Sequence, residues 1–213
     1  MILKKQKEIF LLKQMNNIYL FSHIYIYMYY LFSSINIINN QFRSFPLDIQ
    51  LYILLFYLFT NNKNLLYLFI TGLISECSVP ILKEVIFKML CNCYKKDYFP
   101  LFGNCKRPSG AKGCDSCLNS DKLSTSYGMP SGHAQIMGCI TGYIYFYLKY
   151  KTELKYKNKK KYNLLIGLLF MLNIYMGYTR VYVTKCHTIG HVILGGLIGL
   201  SISYLCFKYF NKK

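Results

Sequence analysis

Acidic side chains are scarce in this chain, and no convincing signal peptide is recognised. Asp and Glu number eight against 26 Lys and Arg, which gives a formal net charge of +18. The sequence contains no carboxylate cluster with the spacing of a metal site, so we expect chemistry that uses no metal and no cofactor. The basic segment Met1–Lys13 is followed by an apolar run without a small-residue cleavage site. We therefore interpret that run as a membrane anchor.

Apolar residues make up 54% of the 213 residues and come in blocks of a length suited to crossing a bilayer. These blocks recur along the whole chain, which leaves little soluble mass. The total length is typical of one domain. The sequence therefore predicts an all-α fold, a polytopic membrane helical bundle that forms a single membrane domain over residues 1–213 and is embedded in membrane lipids.

We predict about six transmembrane helices, with the N-terminal spans in residues 17–60. In chain order the spans are Asn17–Ile38, Leu47–Thr60, Leu65–Val85, His133–Lys149, Asn163–Tyr182 and Thr188–Phe210. The second is short and would need tilt, or help from residues 42–46, to cross ~30 Å of hydrocarbon. Glu76 lies inside the third span and is expected to be paired within the bundle.

Lysines lie mostly between and beyond the apolar blocks, and seven of them fall in the loop Lys149–Lys161. This placement fits membrane topology rather than a nucleic-acid partner. With six spans, that loop and both termini share one side, which the positive-inside rule makes cytoplasmic. Residues 94–127 and 180–188 then face the lumen or the exterior. We expect an integral, multi-pass protein of the endoplasmic reticulum or another endomembrane rather than of the plasma membrane; the sequence makes no prediction about oligomeric state.

The stretch Gly128–Ala134, with the sequence GMPSGHA, opens directly into the fourth apolar block. At such a junction the first backbone N–H groups have no partner within the helix, and the positive helix end favours an anion. His133 can give or take a proton near neutral pH. The alternative interpretation is an ordinary helix start, in which Ser131 caps the helix.

Two further groups of basic residues fall on the same predicted face. One is Arg107 in the sequence KRP, and the other is Arg180, followed by His187 and His191. Two arginines can clamp a phosphoryl group through bidentate hydrogen bonds. One histidine can attack phosphorus while another protonates the leaving oxygen. The three groups together indicate metal-free phosphoryl transfer.

The order of these motifs resembles the type 2 phosphatidic acid phosphatase superfamily, which includes dolichyl diphosphatases. The resemblance covers roughly Lys83–Gly199, with the GMPSGHA stretch and the glycine-rich sequence after His191 as its clearest parts. It implies an all-helical bundle with a catalytic core over about residues 83–199. The implied activity is a metal-independent phosphatase for a lipid phosphate or diphosphate, such as phosphatidate or a polyprenyl diphosphate. The reaction would pass through a phosphohistidine at the lumenal or external membrane face.

The resemblance also implies a role for each motif residue. His187 would be the nucleophile, His133 the general acid, and His191 would stand at the position that orients the nucleophile. The residues that would bind the phosphoryl group are Lys83, Arg107, Ser131, Gly132 and Arg180.

The chain departs from the family pattern at the first and third motifs. The family's lysine should fall at position 100, which is Pro100, and we choose Lys83 over the rivals Lys88, Lys96 and Lys106. Six residues rather than five separate the arginine and the nucleophilic histidine of the third motif. That extra residue predicts a local bulge or a longer turn.

The family's aspartate, four residues after the nucleophile, is replaced by His191. A neutral imidazole can accept a hydrogen bond from His187 but offers no charge. An alternative function is therefore a catalytically weak or inactive family member that acts as a membrane binding or scaffold protein. A phosphate channel is a third hypothesis, and the spacing of His187 and His191 on one helix face leaves a zinc site as a further alternative.

Six of the nine cysteines fall on the predicted non-cytoplasmic side, where an oxidising lumen permits disulfides. They are Cys91, Cys93, Cys105, Cys114, Cys117 and Cys186. We predict a disulfide between Cys114 and Cys186 that ties the long loop over the site. A redox or zinc role for the pair Cys114 and Cys117 stays open.

Overall fold

The computed structural model describes residues 35–93, 98–99, 101–112, 114, 123–124, 126–154 and 159–212. The chain divides into two compact units, Met1–Gln41 and Phe42–Lys213. The site lies in the second unit. The first predicted span, Asn17–Ile38, falls almost entirely outside the described residues, and the single-domain organisation stays a prediction.

The described chain is mostly helical, which confirms the all-α prediction. Its α-helices are α1 (Ile35–Thr60), α2 (Lys63–Ile81), α3 (Lys88–Cys93), α4 (Gly132–Leu154), α5 (Lys159–Tyr178) and α6 (Ile189–Phe210). Two π-helical segments, π1 (Leu82–Phe87) and π2 (Thr179–Val183), continue α2 and α5. The two-residue strands β1 (Tyr98–Phe99) and β2 (Gly103–Asn104) pair antiparallel in the loop before α4.

Side-chain caps and added length explain where several helices begin. Asn62 precedes α2 and its side-chain oxygen accepts a hydrogen bond from the Asn64 N–H at 3.1 Å. Thr188 and His191 form a reciprocal capping box at the start of α6. Helix α1 begins 12 residues before Leu47 and is 26 residues long. The second predicted span is thus part of a helix about 39 Å long at 1.5 Å per residue.

Helix α4 is the central helix of the second unit. Residues 134–143 of α4 are all buried. A helix that is buried on every side lies inside a bundle, with other helices around it. Contacts of α4 with α2, α5 and α6 account for this burial.

Helices α4 and α6 run parallel with their backbones in contact. A Cβ atom at Gly199 would overlap the Gln135 carbonyl oxygen and the Cys139 backbone nitrogen of α4. A Cβ atom at Gly138 would lie 2.7 Å from the carbonyl oxygen of Gly196. Because real Cβ atoms do not approach backbone atoms this closely, glycine is required for the crossing. Small residues in the predicted sixth span thus let the two helices approach closely.

Polar side chains join α2 to its neighbours across the bundle. The Gln135 amide of α4 donates to the Ser75 carbonyl at 2.9 Å and to Ser78 Oγ at 2.7 Å. The Gln50 amide of α1 donates to Glu76 Oε2 at 2.9 Å. The expectation that Glu76 is paired within the bundle is therefore confirmed. Such contacts satisfy polar groups that the surrounding apolar side chains cannot.

Among the described residues, three helical stretches are long and apolar enough to cross a membrane: Lys63–Cys93, Lys160–Val183 and Ile189–Phe210. On α6 the large residues Ile193, Leu197 and Tyr204 are each about half exposed, on the side opposite Gly195 and Gly199. Exposed apolar rows of this kind need lipid around them. The chain is therefore a membrane protein, and the count of six spans stays a prediction. Helix α4 is not among these stretches, and its residues 134–143 are buried against other helices.

The loops that carry the sequence motifs lie at one end of the bundle. The Ser131 N–H, just before α4, donates to the His191 carbonyl in the first turn of α6 at 2.9 Å. At the opposite end, the Tyr67 ring near the start of α2 stacks on Phe210, the last residue of α6, with centroids 4.7 Å apart. The C-terminal part of α4 lies at this opposite end as well, where Tyr150 contacts Phe207, so the length of the bundle separates it from the three motifs.

We expect the Gly199→Ala variant to be less stable than the wild-type protein. The new methyl group would displace the α4 backbone, and overpacking of this kind typically costs about 1–3 kcal/mol. The matched control is Gly196→Ala, because a Cβ atom there meets nothing within 4 Å. In a helix interior, alanine is also more favourable than glycine by about 1 kcal/mol. Thermal unfolding in detergent should thus show a lower midpoint for Gly199→Ala and an unchanged or higher one for Gly196→Ala; equal midpoints would contradict the close crossing.

Candidate active site

The first basic residue of the site, Lys83, lies in π1 at the end of α2. Lys83 is the twentieth residue after Lys63, so the helix rises about 30 Å between them, close to the hydrocarbon thickness of a bilayer. The side chain is half-buried, and its charge is the largest single charge effect on His187. Of its rivals, Lys88 pairs with the exposed Glu84 at 3.6 Å, and Lys96 lies outside the described residues.

The extra residue of the third motif is taken up by π2 and the turn after it. The Thr184 N–H donates to the Thr179 carbonyl at 2.8 Å, a π-type bond five residues apart. The N–H groups of Cys186 and His187 then both donate to the Arg180 carbonyl, at 3.0 and 3.2 Å. The predicted bulge or longer turn is confirmed. The turn folds His187 back beside the arginine that precedes it.

Arg107 lies against the nucleophile candidate. Its Nη1 atom is 3.3 Å from His187 Nε2 and donates to the Cys186 carbonyl at 3.1 Å. Its Nη2 atom donates to the Cys114 carbonyl at 3.2 Å and to Ser126 Oγ at 2.8 Å. The first and third motifs, 80 residues apart, therefore meet directly at a guanidinium and an imidazole.

Two disulfides frame this contact. Cys114 is bonded to Cys186, as predicted, and Cys91 is bonded to Cys105. The Cys105 carbonyl also accepts hydrogen bonds from the N–H groups of Gly128, at 3.1 Å, and Met129, at 3.2 Å. The second disulfide therefore holds the start of the second motif beside the loop that carries Arg107.

The second motif packs directly on the first turn of α6. Gly128 lies so close to the His191 ring that a Cβ atom would overlap it, and Arg107 N would be 3.1 Å away. The Ser131 N–H, which we expected to bind phosphate, donates to the His191 carbonyl instead. This bond anchors the loop to α6, and phosphate binding at Ser131 stays a prediction. The Ser131 hydroxyl is buried and has no hydrogen-bond partner among the described residues, so it does not cap α4.

His133 and Gly132 are the first residues of α4 and are both half-buried. N–H groups in the first turn of a helix have no partner within the helix and carry its positive end. The N–H groups of Gly132 and His133 are therefore the candidate anion donors here, because the Ser131 N–H is bonded to the His191 carbonyl. His133 lies at the same end of the bundle as His187.

His191 does not accept a hydrogen bond from His187. Its Nε2 atom is 2.6 Å from the Asn104 carbonyl oxygen, and its Nδ1 atom accepts from the Thr188 N–H at 3.4 Å. Because a carbonyl only accepts, Nε2 carries the proton of His191. The two imidazoles instead meet edge to face, with centroids 5.7 Å apart. The orienting hydrogen bond expected of His191 is thus not made, because both of its ring nitrogens are engaged elsewhere.

His187 is held as a neutral imidazole. Its side chain is 2% exposed, and burial is the largest cause that lowers its pKa well below 6.5. The positive charges of Lys83, Arg180 and Arg107 lower the pKa further. A guanidinium can only donate, so Nε2 accepts and the proton lies on Nδ1. His187 Nδ1 is buried and has no hydrogen-bond partner among the described residues.

Chemically, the site combines a neutral imidazole with positive charge. Arg180 is 2% exposed, and with Lys83 and Arg107 it can compensate the charge of a phosphate dianion. In the part of the chain that the structure describes, no three His, Cys, Asp or Glu side chains converge to hold a metal. The geometry of His187 and His191 also gives no support to a zinc site, because both ring nitrogens of His191 have other partners.

Sequence reasoning did not identify the groups that hold Arg107 and His191. They are the Ser126 hydroxyl and the backbone carbonyls of Cys114, Cys186 and Asn104. Every residue carries a carbonyl, so no residue type marks these positions. The predicted disulfide was the available signal, since it brings two of the carbonyls together.

Comparison with known proteins assigns the chain to a family. Residues 64–213 match the sequence model of the PAP2 superfamily. No curated protein matches the chain significantly. A similar solved structure is that of a transmembrane PAP2 type phosphatidylglycerolphosphate phosphatase from Bacillus subtilis, at 20% identity and a TM-score of 0.49. The match covers 80% of this chain and 72% of that one.

Peptide mapping without reductant should recover both disulfides. After alkylation of free thiols, we expect one peptide pair joined through Cys114 and Cys186 and another through Cys91 and Cys105. Cys93 is exposed and belongs to neither bond, so it should be fully alkylated and serves as the internal control. A peptide that joins Cys114 to Cys117 would contradict the site geometry.

Proposed function

The chain belongs to the PAP2 superfamily, and on that premise we propose that it is a metal-independent phosphohydrolase for lipid phosphates or lipid diphosphates. Family membership supports phosphatase activity, and the apolar helices support a substrate that resides in the membrane. The observation that carries the proposal is the 3.3 Å contact between Arg107 Nη1 and Nε2 of the buried, neutral His187. This contact puts a phosphoryl-binding group beside an unprotonated imidazole nitrogen, whose electron pair accepts the Arg107 N–H until a phosphoryl group takes that donor.

In the first step, His187 Nε2 attacks phosphorus and forms a nitrogen–phosphorus bond. The bond from phosphorus to the lipid oxygen breaks, and His133 donates the proton that this oxygen takes up. Lys83, Arg107 and Arg180 compensate the charge of the transferred group. The proton on Nδ1 stays in place, so the phosphorylated ring becomes cationic.

In the second step, water attacks the phosphohistidine. His133, now deprotonated, accepts a proton from the water as the new oxygen–phosphorus bond forms. The nitrogen–phosphorus bond breaks, and its electron pair returns to His187 Nε2. Inorganic phosphate leaves, and both histidines regain their starting protonation states.

The substrate dianion and the low pKa of His187 fit together. Before binding, buried positive charges and desolvation keep the imidazole neutral and nucleophilic. After binding, the dianion offsets these charges and makes a cationic phosphohistidine less costly. The Ser131 hydroxyl and the first N–H groups of α4 are further candidate donors to phosphoryl oxygens.

We infer that the site faces the lumen or the exterior, in the endoplasmic reticulum or another endomembrane. The disulfides beside the site support this side, because such bonds persist in oxidising compartments. The positive-inside rule gives the same orientation, with the loop Lys149–Lys161 in the cytoplasm.

The direct test is phosphate release by the full-length protein in lipid vesicles. We expect release from phosphatidate or a polyprenyl diphosphate that is insensitive to excess EDTA. His187→Ala should lower kcat by at least ~10³-fold, because loss of a nucleophile leaves only binding and electrostatic effects. His23→Ala is the control, since His23 is the histidine outside the three motifs. A wild-type protein that releases no phosphate from any lipid of this class would instead support a membrane scaffold.

The pH dependence of kcat/KM tests whether the charge of Lys83 acts on His187. Because His187 must be neutral to attack, the acidic limb of kcat/KM should lie well below pH 6.5 in the wild-type protein. Lys83→Gln removes a positive charge, which makes protonation of His187 easier and moves the limb to higher pH. Lys88→Gln should leave the limb in place, because Lys88 pairs with Glu84 on the surface. Equal shifts in both variants would contradict the choice of Lys83.

A further inference from the structure

The Cys114–Cys186 disulfide joins two residues whose backbone carbonyls both hold Arg107. Arg107 Nη1 donates to the Cys186 carbonyl at 3.1 Å, and Nη2 donates to the Cys114 carbonyl at 3.2 Å. The two acceptors come from loops 72 residues apart in sequence. The two ends of one guanidinium therefore span the same junction as the disulfide.

We propose that this disulfide is a positioning element for Arg107: it fixes the two carbonyls that aim the guanidinium at His187. The inference rests on the proposed function, since it assigns a role within that reaction. Arg107 belongs to the long loop and contacts His187 from there. Arg180 lies in π2, directly before the turn that carries His187, and its carbonyl accepts the His187 N–H. Arg107 thus depends on contacts between distant segments for its orientation.

The local chain supports this reading. Cys186 immediately precedes His187, so a shift of its carbonyl also shifts the nucleophile. Lys185, next to it, has a positive φ of 51°, a conformation that is uncommon for a residue with a side chain. The covalent bond at Cys186 holds this turn in place. Ser126 supplies a third acceptor, at 2.8 Å from Arg107 Nη2, which belongs to neither disulfide-bonded residue.

A double-mutant cycle separates positioning of Arg107 from general stabilisation. The variants are Cys114→Ser/Cys186→Ser, Arg107→Ala, and the combination of all three changes, each in the full chain in lipid vesicles. We expect the disulfide variant alone to lower kcat/KM for phosphatidate by roughly 10- to 100-fold, since a misplacement of about 1 Å can cost this much. In the Arg107→Ala background the same change should cost less than about threefold, because the group it positions is gone.

A merely structural disulfide gives a different result: the two losses multiply in the combined variant. That outcome would overturn the inference while leaving the proposed function intact. A wild-type protein without phosphatase activity would overturn both. Cys93→Ser is the matched control, because Cys93 is exposed and not disulfide-bonded.

The acidic limb of the pH profile gives a second readout. The charged or titratable groups that act on His187 are Lys83, Arg180, Arg107 and His191. If loss of the disulfide lets Arg107 move away, one repulsive charge is removed and the limb should move to higher pH. An unchanged limb, together with a loss of activity, would contradict positioning through Arg107.

A disulfide variant that fails to fold is replaced by reduction of the folded protein. Wild-type and Arg107→Ala protein are treated with dithiothreitol, and opening of each disulfide is followed by alkylation. Loss of activity in the wild-type protein but not in Arg107→Ala supports the inference. A proportional loss in both proteins contradicts it.

Discussion

The close, parallel packing of α4 on α6 is the constraint on which the site depends. Glycines let the two backbones touch, and the contact continues at the start of both helices, where the Ser131 N–H bonds the His191 carbonyl. The loops that precede the two helices are thereby fixed at one end of the bundle. His133 follows one of these loops and His187 lies in the other. A side chain between the helices would separate the second motif from the third.

Among the described residues, the groups that set the charge around His187, the proposed nucleophile, are cations and an imidazole rather than a carboxylate. In the part of the chain that the structure describes, His187 is surrounded by positive charges and by the edge of a second imidazole. This environment opposes protonation of the free site, whereas a bound phosphate dianion offsets it. Positive charge and burial thus keep the ring neutral until substrate arrives. His191 serves as a packed and hydrogen-bonded neighbour rather than as an acceptor for His187.

The sequence predicted the helices and the meeting of the three motifs because both follow from strong patterns. Apolar blocks mark the helices, and the motif order marks Arg107, His133 and His187. The Cys114–Cys186 bond followed from the shared face of the two residues. The sequence did not reveal the partners of the Ser131 N–H and of His191, because these partners are backbone carbonyls that no residue type marks. It also could not place π1, since a π-helical turn depends on one extra residue within a continuous helix. The count of spans is harder to predict, as α4 shows: the sequence predicts a span over His133–Lys149, yet much of this helix packs against other helices and need not be apolar enough to face lipid.

The central claim is that His187 carries the phosphoryl group during turnover. The most direct measurement is to mix the protein with a lipid labelled at the transferred phosphate, quench in alkaline denaturant, and map the label by peptide. The account predicts an acid-labile, alkali-stable label on His187, with none on His133 or His191. Turnover with no trapped label on His187, or a label on another residue, would contradict it.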